Sequence, residues 1–435
     1  MSLKIAAKIV PTRRFWPLFV ALQTGTFNDN LLKQSLVVMM TYGGLSFLGI
    51  QQNILIPLAT TLFTMPFLLL SCIAGQVADK YDRGDVLRRI KQAEIIIMII
   101  AATGFLLGNA PLLLFALMCM GAQSAFFAPT KNALLPQWLE KKELITGNAL
   151  MSGFVYVFIL TGQAVATLLV LKTFGPKVIA IALLSLALIG YLAARKAPAA
   201  PAPAKDLKIN WNILTESVRM VAYAWKDQAV FRPLAGIAWF YGFAAIMLVV
   251  LPTYMENVLG YDETVLLVCM VLTTIGMMSG ALLCVVLTRG KDATWLSALG
   301  IIGVAIFAFD IYLSNHTLAS STLGTLADFK ADPRARRFTI DLIGAALCGG
   351  FFVVPLQAMS QHRADPMHRA RLLAAGSIMY NLAVNVCQGM IAGFAALQLP
   401  DRMAFLFIAI MSALVALYAI WRTFNPIKEL SETQA

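Results

Sequence analysis

"LLLSCIAGQVADKYDRGDVLRRIKQAEIIIMII" (residues 68–100) sets a short charged segment between two long apolar runs. Crossing the hydrocarbon core of a bilayer takes about 20 apolar residues, and each flanking run is long enough. The segment between them, "GQVADKYDRGDVLRR" (75–89), is rich in Arg and Asp. Basic residues beside a span mark its cytoplasmic side, where anionic headgroups attract them. The stretch therefore predicts two membrane helices joined by a cytoplasmic connection, and the same alternation recurs along the whole chain.

The chain has 435 residues, 59% of them hydrophobic and 13% charged, with a mean hydropathy of +0.77. A soluble domain carries a charged fraction of about 25%, so the composition describes a multi-pass membrane protein. The basic start, "MSLKIAAKIVPTRRFW", runs into an apolar stretch long enough to span, so no cleaved signal is expected. The net charge of +12 reads as basic loops facing membrane lipids, not as a nucleic-acid surface. Six cysteines (Cys72, Cys119, Cys269, Cys284, Cys348, Cys387) sit inside apolar runs, and His316, His362 and His368 lie in polar segments. None has metal-ligand spacing, so neither metal nor cofactor is expected. There is no G-x-x-x-x-G-K-[S/T] phosphate loop and no Ser/His/Asp constellation, so an enzyme is not expected.

Twelve spans are predicted, near 15–42, 52–74, 92–109, 111–130, 148–172, 177–195, 233–256, 263–288, 293–314, 339–359, 373–396 and 402–422. Most of the 34 Lys and Arg then fall on the side that holds both termini, which makes that side cytoplasmic. One segment resists this: "LADFKADPRARRFT", on the opposite side, carries Lys330, Arg334, Arg336 and Arg337. Between spans six and seven, "RKAPAAPAPAKDLK" is an Ala/Pro linker. Beyond it Trp211, Leu214, Val218, Val221 and Trp225 recur at helical spacing, the pattern of an amphipathic helix against the bundle or the inner membrane surface. The expected organisation is a six-helix half (1–195), a cytoplasmic linker with that helix (196–230) and a second six-helix half (231–435).

The halves resemble each other. "FWPLFVALQTGTFND" (15–29) and "FRPLAGIAWFYGFAA" (231–245) both open on Phe-x-Pro-Leu. "GAQSAFFAPTKNALL" (121–135) matches "CGGFFVVPLQAMSQH" (348–362), and "TGNALMSGF" matches "AAGSIMYNL" at the start of the fifth span of each half. Two pseudo-symmetric six-span halves imply an all-α membrane protein with the major facilitator architecture, its substrate site between the halves near the bilayer midplane.

The charged segment has a physical reading of its own. Asp79, at the end of span two, suits the N-terminus of a helix of the other half, where dipole and unpaired N–H groups favour an anion. Gly75 permits close helix approach, and Lys80, Arg83 and Arg88 lie at headgroup level. Together they form a candidate conformational latch. The matching place in the second half, "GALLCVVLTRGK" (280–291), keeps Gly280, Arg289 and Gly290 but lacks the acid.

Segment 75–89 also resembles the conserved loop of the major facilitator superfamily, Gly-x-x-x-Asp-Arg/Lys-x-Gly-Arg-Arg, at Gly75, Asp79, Lys80 and Arg83, departing at Asp82 and Gly84. It is more similar to the bacterial lysophospholipid transporters, which follow Gly-Gln-Val-Ala-Asp with a basic residue and Gly, here Arg83–Gly84. "FNDN" (27–30) resembles that group's first span. "APTKNALLPQWLEKKELITGNALM" (128–151) resembles its loop at Pro129, Lys131, Leu144, Asn148 and Leu150. The resemblance implies movement of lysophosphatidylethanolamine or lysophosphatidylglycerol from the outer to the inner leaflet of a bacterial inner membrane. It also brings in a lysophospholipid acyltransferase, which some relatives carry fused; with this chain ending at Ala435, a separate protein is expected.

The first span holds the least expected residues. On a helical projection of about 100° per residue, Gln23, Thr26, Asp29, Asn30, Lys33 and Gln34 share one sector and Asn28 points elsewhere. Asp29 and Lys33 stand at i, i+4 in the acid-first order that favours pairing. A lone buried charge costs several kcal/mol, so the stripe is expected to face the central cavity. Three readings stay open: a structural ion pair, a headgroup site in which Lys33 meets phosphate and Asp29 an ammonium or hydroxyl, or a proton carrier in Asp29. Gln163, Gln357, Asn381, Asn385 and Gln388 are further polar residues in spans, read either as lining the cavity, with Gln163, Asn381 and Asn385 the candidate substrate contacts, or as interhelical hydrogen bonds. Trp239, Phe240, Tyr241 and Phe243 are apolar-path or core aromatics, and Asp310 and Asp341 are expected at solvated span ends. The expected function is rocker-switch transport by a monomer. Proton-coupled export of an amphipathic drug or siderophore is the rival within transporters, and a non-transporting scaffold for an acyltransferase the rival outside them.

Overall fold

The computed structural model describes residues 7–288, 294–314, 323–363 and 369–424. Arg289, Gly290, His316 and His368 lie outside the described residues, as do the side chains of Leu144, Asn148 and His362.

The N-terminal six helices are α1 (Trp16–Thr41), α2 (Gln52–Lys80), α3 (Arg83–Leu107), α4 (Ala110–Trp138), α5 (Lys141–Leu169) and α6 (Gly175–Arg195). An amphipathic helix, α7 (Ile213–Lys226), follows the linker. Then come α8 (Gln228–Tyr254), running into a π turn over Met255–Leu259, α9 (Glu263–Thr288), α10 (Thr294–Leu313), the short α11 (Leu326–Ala331), α12 (Pro333–Arg363), α13 (Arg369–Ala396) and α14 (Arg402–Phe424). Leaving aside α7 and α11, twelve long helices match the twelve predicted spans in order.

Local chemistry sets the joints. The Asp82 side chain accepts from Asp85 N and starts α3; side chains that take up orphan N–H groups are what define helix starts. Gly108, at φ 60°, closes α3 in the left-handed conformation, and Asn109 at once caps α4 by accepting from Leu112 N. Asp227 caps α8 in the same way, accepting from Ala229 and Val230. The segment read as a loop over 75–89 is thus only Tyr81 and Asp82; its acidic start lies in α2 and its arginines begin α3.

Two compact units result, Met1–Glu216 and Ser217–Ala435, divided inside α7. Their internal packing repeats. In the first unit α1 packs on α5, α2 on α4, α3 on α4 and α3 on α6; in the second, α8 packs on α13, α9 on α12, α10 on α12 and α10 on α14. The repeat extends to the tightest crossings: a Cβ on Gly121 of α4 would lie 2.0 Å from the Phe63 carbonyl of α2, and one on Gly280 of α9 would lie 2.1 Å from the Leu347 carbonyl of α12. Small residues let membrane helices approach this closely. The symmetry breaks at one place: α1 packs broadly on α6, while α8 leans on α12.

Among the described residues, ten of the long helices carry a stretch long and apolar enough to cross a membrane. Asp29, Lys33 and the amides set α1 apart from these, and α1 packs on α5. Large apolar side chains such as Ile96, Leu107, Ile181, Val286 and Leu417 are exposed on the outside, as a lipid-facing surface requires.

The segment around Lys330–Arg337 is ordered where a loop was expected. Thr325 and Asp328 form a capping box for α11, and hydrogen bonds from Thr325 hold the Asp328 carboxyl below its usual range. Arg337 pairs with Asp310 of α10 (Nε–Oδ2 2.9 Å), which neutralises one of the basic residues that resisted the charge rule. Asp341, expected in a solvated position, is buried instead. Trp211, Val218 and Trp225 of the amphipathic segment are exposed.

Candidate functional site

The polar stripe of α1 resolves into two seams. Gln23, Asn30 and Gln34 fall within about 40° on a helix of 3.6 residues per turn, and all three meet α5. Gln23 Nε2 donates to the Met151 carbonyl (3.1 Å), Gln163 Nε2 to Asn30 Oδ1 (3.5 Å), and Gln34 Nε2 to Thr167 Oγ1 (3.3 Å). Gly162 of α5 is needed at this crossing, because a Cβ there would lie 2.9 Å from the Phe27 carbonyl. The polar residues of α1 along this seam are thus satisfied by α5 inside the bundle.

Thr26, Asp29 and Lys33 form the second seam, about 60° wide on the same projection. Asp29 is partly buried and accepts from Ser124 Oγ of α4 at 3.1 Å. Lys33, also partly buried, holds its ammonium 5.7 Å from the ring centre of Phe63 on α2, a cation–π distance. The ion pair favoured by their i, i+4 spacing is not formed: among the described residues, no carboxylate lies within 4.0 Å of Lys33 Nζ. The two side chains leave α1 toward different neighbours, Asp29 to α4 and Lys33 to α2.

Behind Asp29 lies a cluster that the sequence reading missed. Lys91 and Glu94 of α3 form an ion pair at 2.6 Å with side chains 1% and 2% exposed. The Lys91 ammonium lies over the Phe127 ring at 5.2 Å and 2.8 Å from where a Cβ on Gly25 would stand. Gln123 Nε2 donates to Glu94 Oε2 (3.2 Å), and Asn28 Nδ2 reaches Glu94 Oε1 (3.5 Å) and the Leu183 carbonyl of α6 (3.2 Å). Asn28, off the stripe in projection, is therefore fully buried among α3 and α6. A span beginning at residue 92 leaves Lys91 outside it, whereas α3 begins at Arg83. The signal was present as "KQAE" (91–94), an acid and a base at i, i+3 leading directly into an apolar run.

The candidate latch residues are held within the N-terminal unit. Arg83 binds Asp79 (2.8 Å), the Ala78 carbonyl (2.9 Å) and Gln137 Oε1 (3.1 Å). Arg88 donates to the Ala197 carbonyl at 3.2 Å, and the Lys80 ammonium stands 5.9 Å from the Tyr81 ring. The close approach expected at Gly75 is not found, since a Cβ there would meet no atom within 4 Å. It occurs at Gly84, where a Cβ would be 2.7 Å from the Pro198 carbonyl. Asp82 Oδ2 accepts from Ala200 N (3.0 Å), and Arg83 N donates to the Ala200 carbonyl (2.9 Å). Asp82 and Gly84, the two departures from the superfamily pattern, thus dock the Ala/Pro linker.

In the second unit, Asn381 Nδ2 donates to the Ser377 carbonyl and Asn385 Nδ2 to the Asn381 carbonyl, both at 2.8 Å and both four residues back along α13. Phe240 and Phe243 are buried, and Tyr241 stacks at 4.9 Å on Tyr380. Among the described residues no group of three His, Cys, Asp or Glu could hold a metal ion.

A family model described as Major Facilitator Superfamily matches residues 27–329. The lysophospholipid transporter LplT of Photorhabdus laumondii is 26% identical over 313 residues, 70% of each chain. LplT of Pectobacterium carotovorum is 25% identical over 69% of this chain and 68% of its own, and that of an Escherichia coli strain 24% identical over 71% of each. Among solved structures, a peptide transporter POT in complex with sulfate superposes with a TM-score of 0.73 at 11% identity, covering 98% of both chains. A D-xylose–proton symporter gives 0.67 at 12% identity, over 93% of this chain and 97% of its own.

Proposed function

The chain belongs to the Major Facilitator Superfamily, and from that premise we propose that it carries lysophospholipids, lysophosphatidylethanolamine and lysophosphatidylglycerol among them, across the bacterial inner membrane. Its relatives named lysophospholipid transporters support the substrate class. The observation that carries the reading is the second seam of α1, where Asp29 and Lys33 stand partly buried within one turn and are not spent on each other. A lysophospholipid head group brings a phosphate for Lys33 and an ammonium or hydroxyl for Asp29. Such charge-assisted contacts are the strong ones in a site from which water is largely excluded. The single acyl chain stays in an apolar path open to lipid.

The two units rock about the substrate in alternating access, with both termini in the cytoplasm. Asp79, Lys80, Arg83 and Arg88 brace one access state. The protein works as a monomer, and an acyltransferase on the inner face re-acylates the product.

Spheroplasts test this against the rivals. Cells lacking both this gene and any acyltransferase should take up labelled lysophosphatidylethanolamine only when the chain is restored. A scaffold for an acyltransferase would move none in that background. An exporter of drugs would restore compound resistance and leave lysolipid uptake unchanged.

A further inference from the structure

The buried cluster behind Asp29 contains more than an ion pair between helices. Ser124 Oγ lies 3.1 Å from Asp29 Oδ2 and 3.2 Å from Gln123 Oε1. A hydroxyl has one proton to donate, so these two acceptors compete for it. Which atom of Gln123 faces Ser124 is set on the other side: Nε2 donates to Glu94 Oε2 at 3.2 Å, and turning the amide over would bring its oxygen against a carboxylate. Glu94 is itself held by Lys91 at 2.6 Å. The Lys91 ammonium occupies a slot that two glycines leave open, since a Cβ on Gly25 would lie 2.8 Å away and one on Gly190 3.5 Å away. Lys91 thus fixes Glu94, Glu94 fixes Gln123, and Gln123 offers Ser124 a second acceptor.

We propose that Gln123 and Ser124 form a two-position hydroxyl switch that lets Asp29 exchange its hydrogen bond inside the protein for a donor on the transported head group, with Lys91 and Glu94 as positioning residues. The role assigned to the head group rests on the reading of Asp29 given above. Without substrate the Ser124 proton serves Asp29. When an ammonium or hydroxyl reaches Asp29, the proton turns to Gln123 Oε1, and no buried donor is left unmet. Buried polar groups are costly when a partner is removed; the switch supplies the replacement partner in advance.

Two measurements test it on the full-length protein. The first needs no substrate: labelling of the purified protein by a hydrophobic carbodiimide, which attacks the protonated carboxyl, read at the Asp29 peptide by mass spectrometry. Gln123→Leu leaves the Ser124 proton to Asp29 alone and should slow labelling; Ser124→Ala removes the donor and should speed it, each by about 2- to 10-fold, the scale of one hydrogen bond. Changes of the same sign in both variants, or none in either, overturn the switch. The second is a double-mutant cycle on lysophosphatidylethanolamine uptake. Gln123→Leu should raise KM in the wild-type background and leave it unchanged with Asp29→Asn, because the effect passes through Asp29. An equal rise in both backgrounds marks Gln123 as structural only and overturns the proposal. Opposite labelling shifts in a protein that moves no lysolipid would leave the switch standing and remove the substrate reading. Normal uptake with no labelling shift would do the reverse.

Discussion

Asp29 and Lys33 carry the functional reading at the scale of single residues. Each is expected to make one charge-assisted contact to the head group, worth about 1.5–3 kcal/mol, or about 10- to 100-fold in uptake. Asp29→Asn and Lys33→Ala should each lower lysolipid uptake by that factor, with membrane insertion unchanged by immunoblot. Exchanging the two charges should not restore activity, since the ammonium and carboxylate lie against Phe63 and Ser124 and not against each other; recovery in the double variant would show a structural pair. The projection of α1 located the stripe from sequence alone, and Asp29 is on it. It could not tell that one edge would be consumed by α5, because Met151, Gln163 and Thr167 lie far from Gln23, Asn30 and Gln34 in the chain. The i, i+4 rule failed for Asp29 and Lys33 because it describes an isolated helix, and here Ser124 and Phe63 on neighbouring helices offer each charge another partner.

Two elements make predictions of their own. In α3, Lys91→Met leaves Glu94 buried without its counter-charge, which costs about 3–5 kcal/mol. A marked drop in the melting temperature of the detergent-purified protein is expected, and replacing both residues by apolar ones of similar size should recover much of it. The linker is the second case. Ala197, Pro198, Ala200 and Pro201 are held by Arg88, Gly84, Asp82 with Arg83, and Gln137. Gly84→Ala forces the Pro198 carbonyl away and should speed trypsin cleavage after the exposed Lys205 and Lys208; an unchanged cleavage rate would show that the strap does not depend on this contact. The Ala/Pro composition of this segment was legible as a linker. That it lies along the ends of α2, α3 and α4 was not, because it is held mostly through its own backbone carbonyls, which accept from Arg88, Arg83 and Gln137 and leave no trace in the linker's residue types.

Over the whole molecule, the order of the long helices followed from hydropathy, since a bilayer admits little else than apolar helices of that length; their ends did not, as α3 starts at Arg83 and not at residue 92, and α4 runs on to Trp138. The repeat was legible through Phe-x-Pro-Leu and the Gly/Phe/Pro matches, and the structure extends it to the crossings at Gly121 and Gly280. The breaks in symmetry were not legible, because α1 on α6 and α8 on α12 are set by side chains distant in sequence. The proposed topology places both termini in the cytoplasm: a green fluorescent protein fused after Ala435 should fluoresce, and an alkaline phosphatase fused there should stay inactive. Transport itself is tested by uptake of labelled lysophosphatidylethanolamine into liposomes holding the purified protein, compared with Asp29→Asn. Lysolipid transport through Asp29 requires saturable uptake by the wild-type chain that falls at least about tenfold in the variant. Uptake no faster than in protein-free liposomes, or equal in the two proteins, would contradict it.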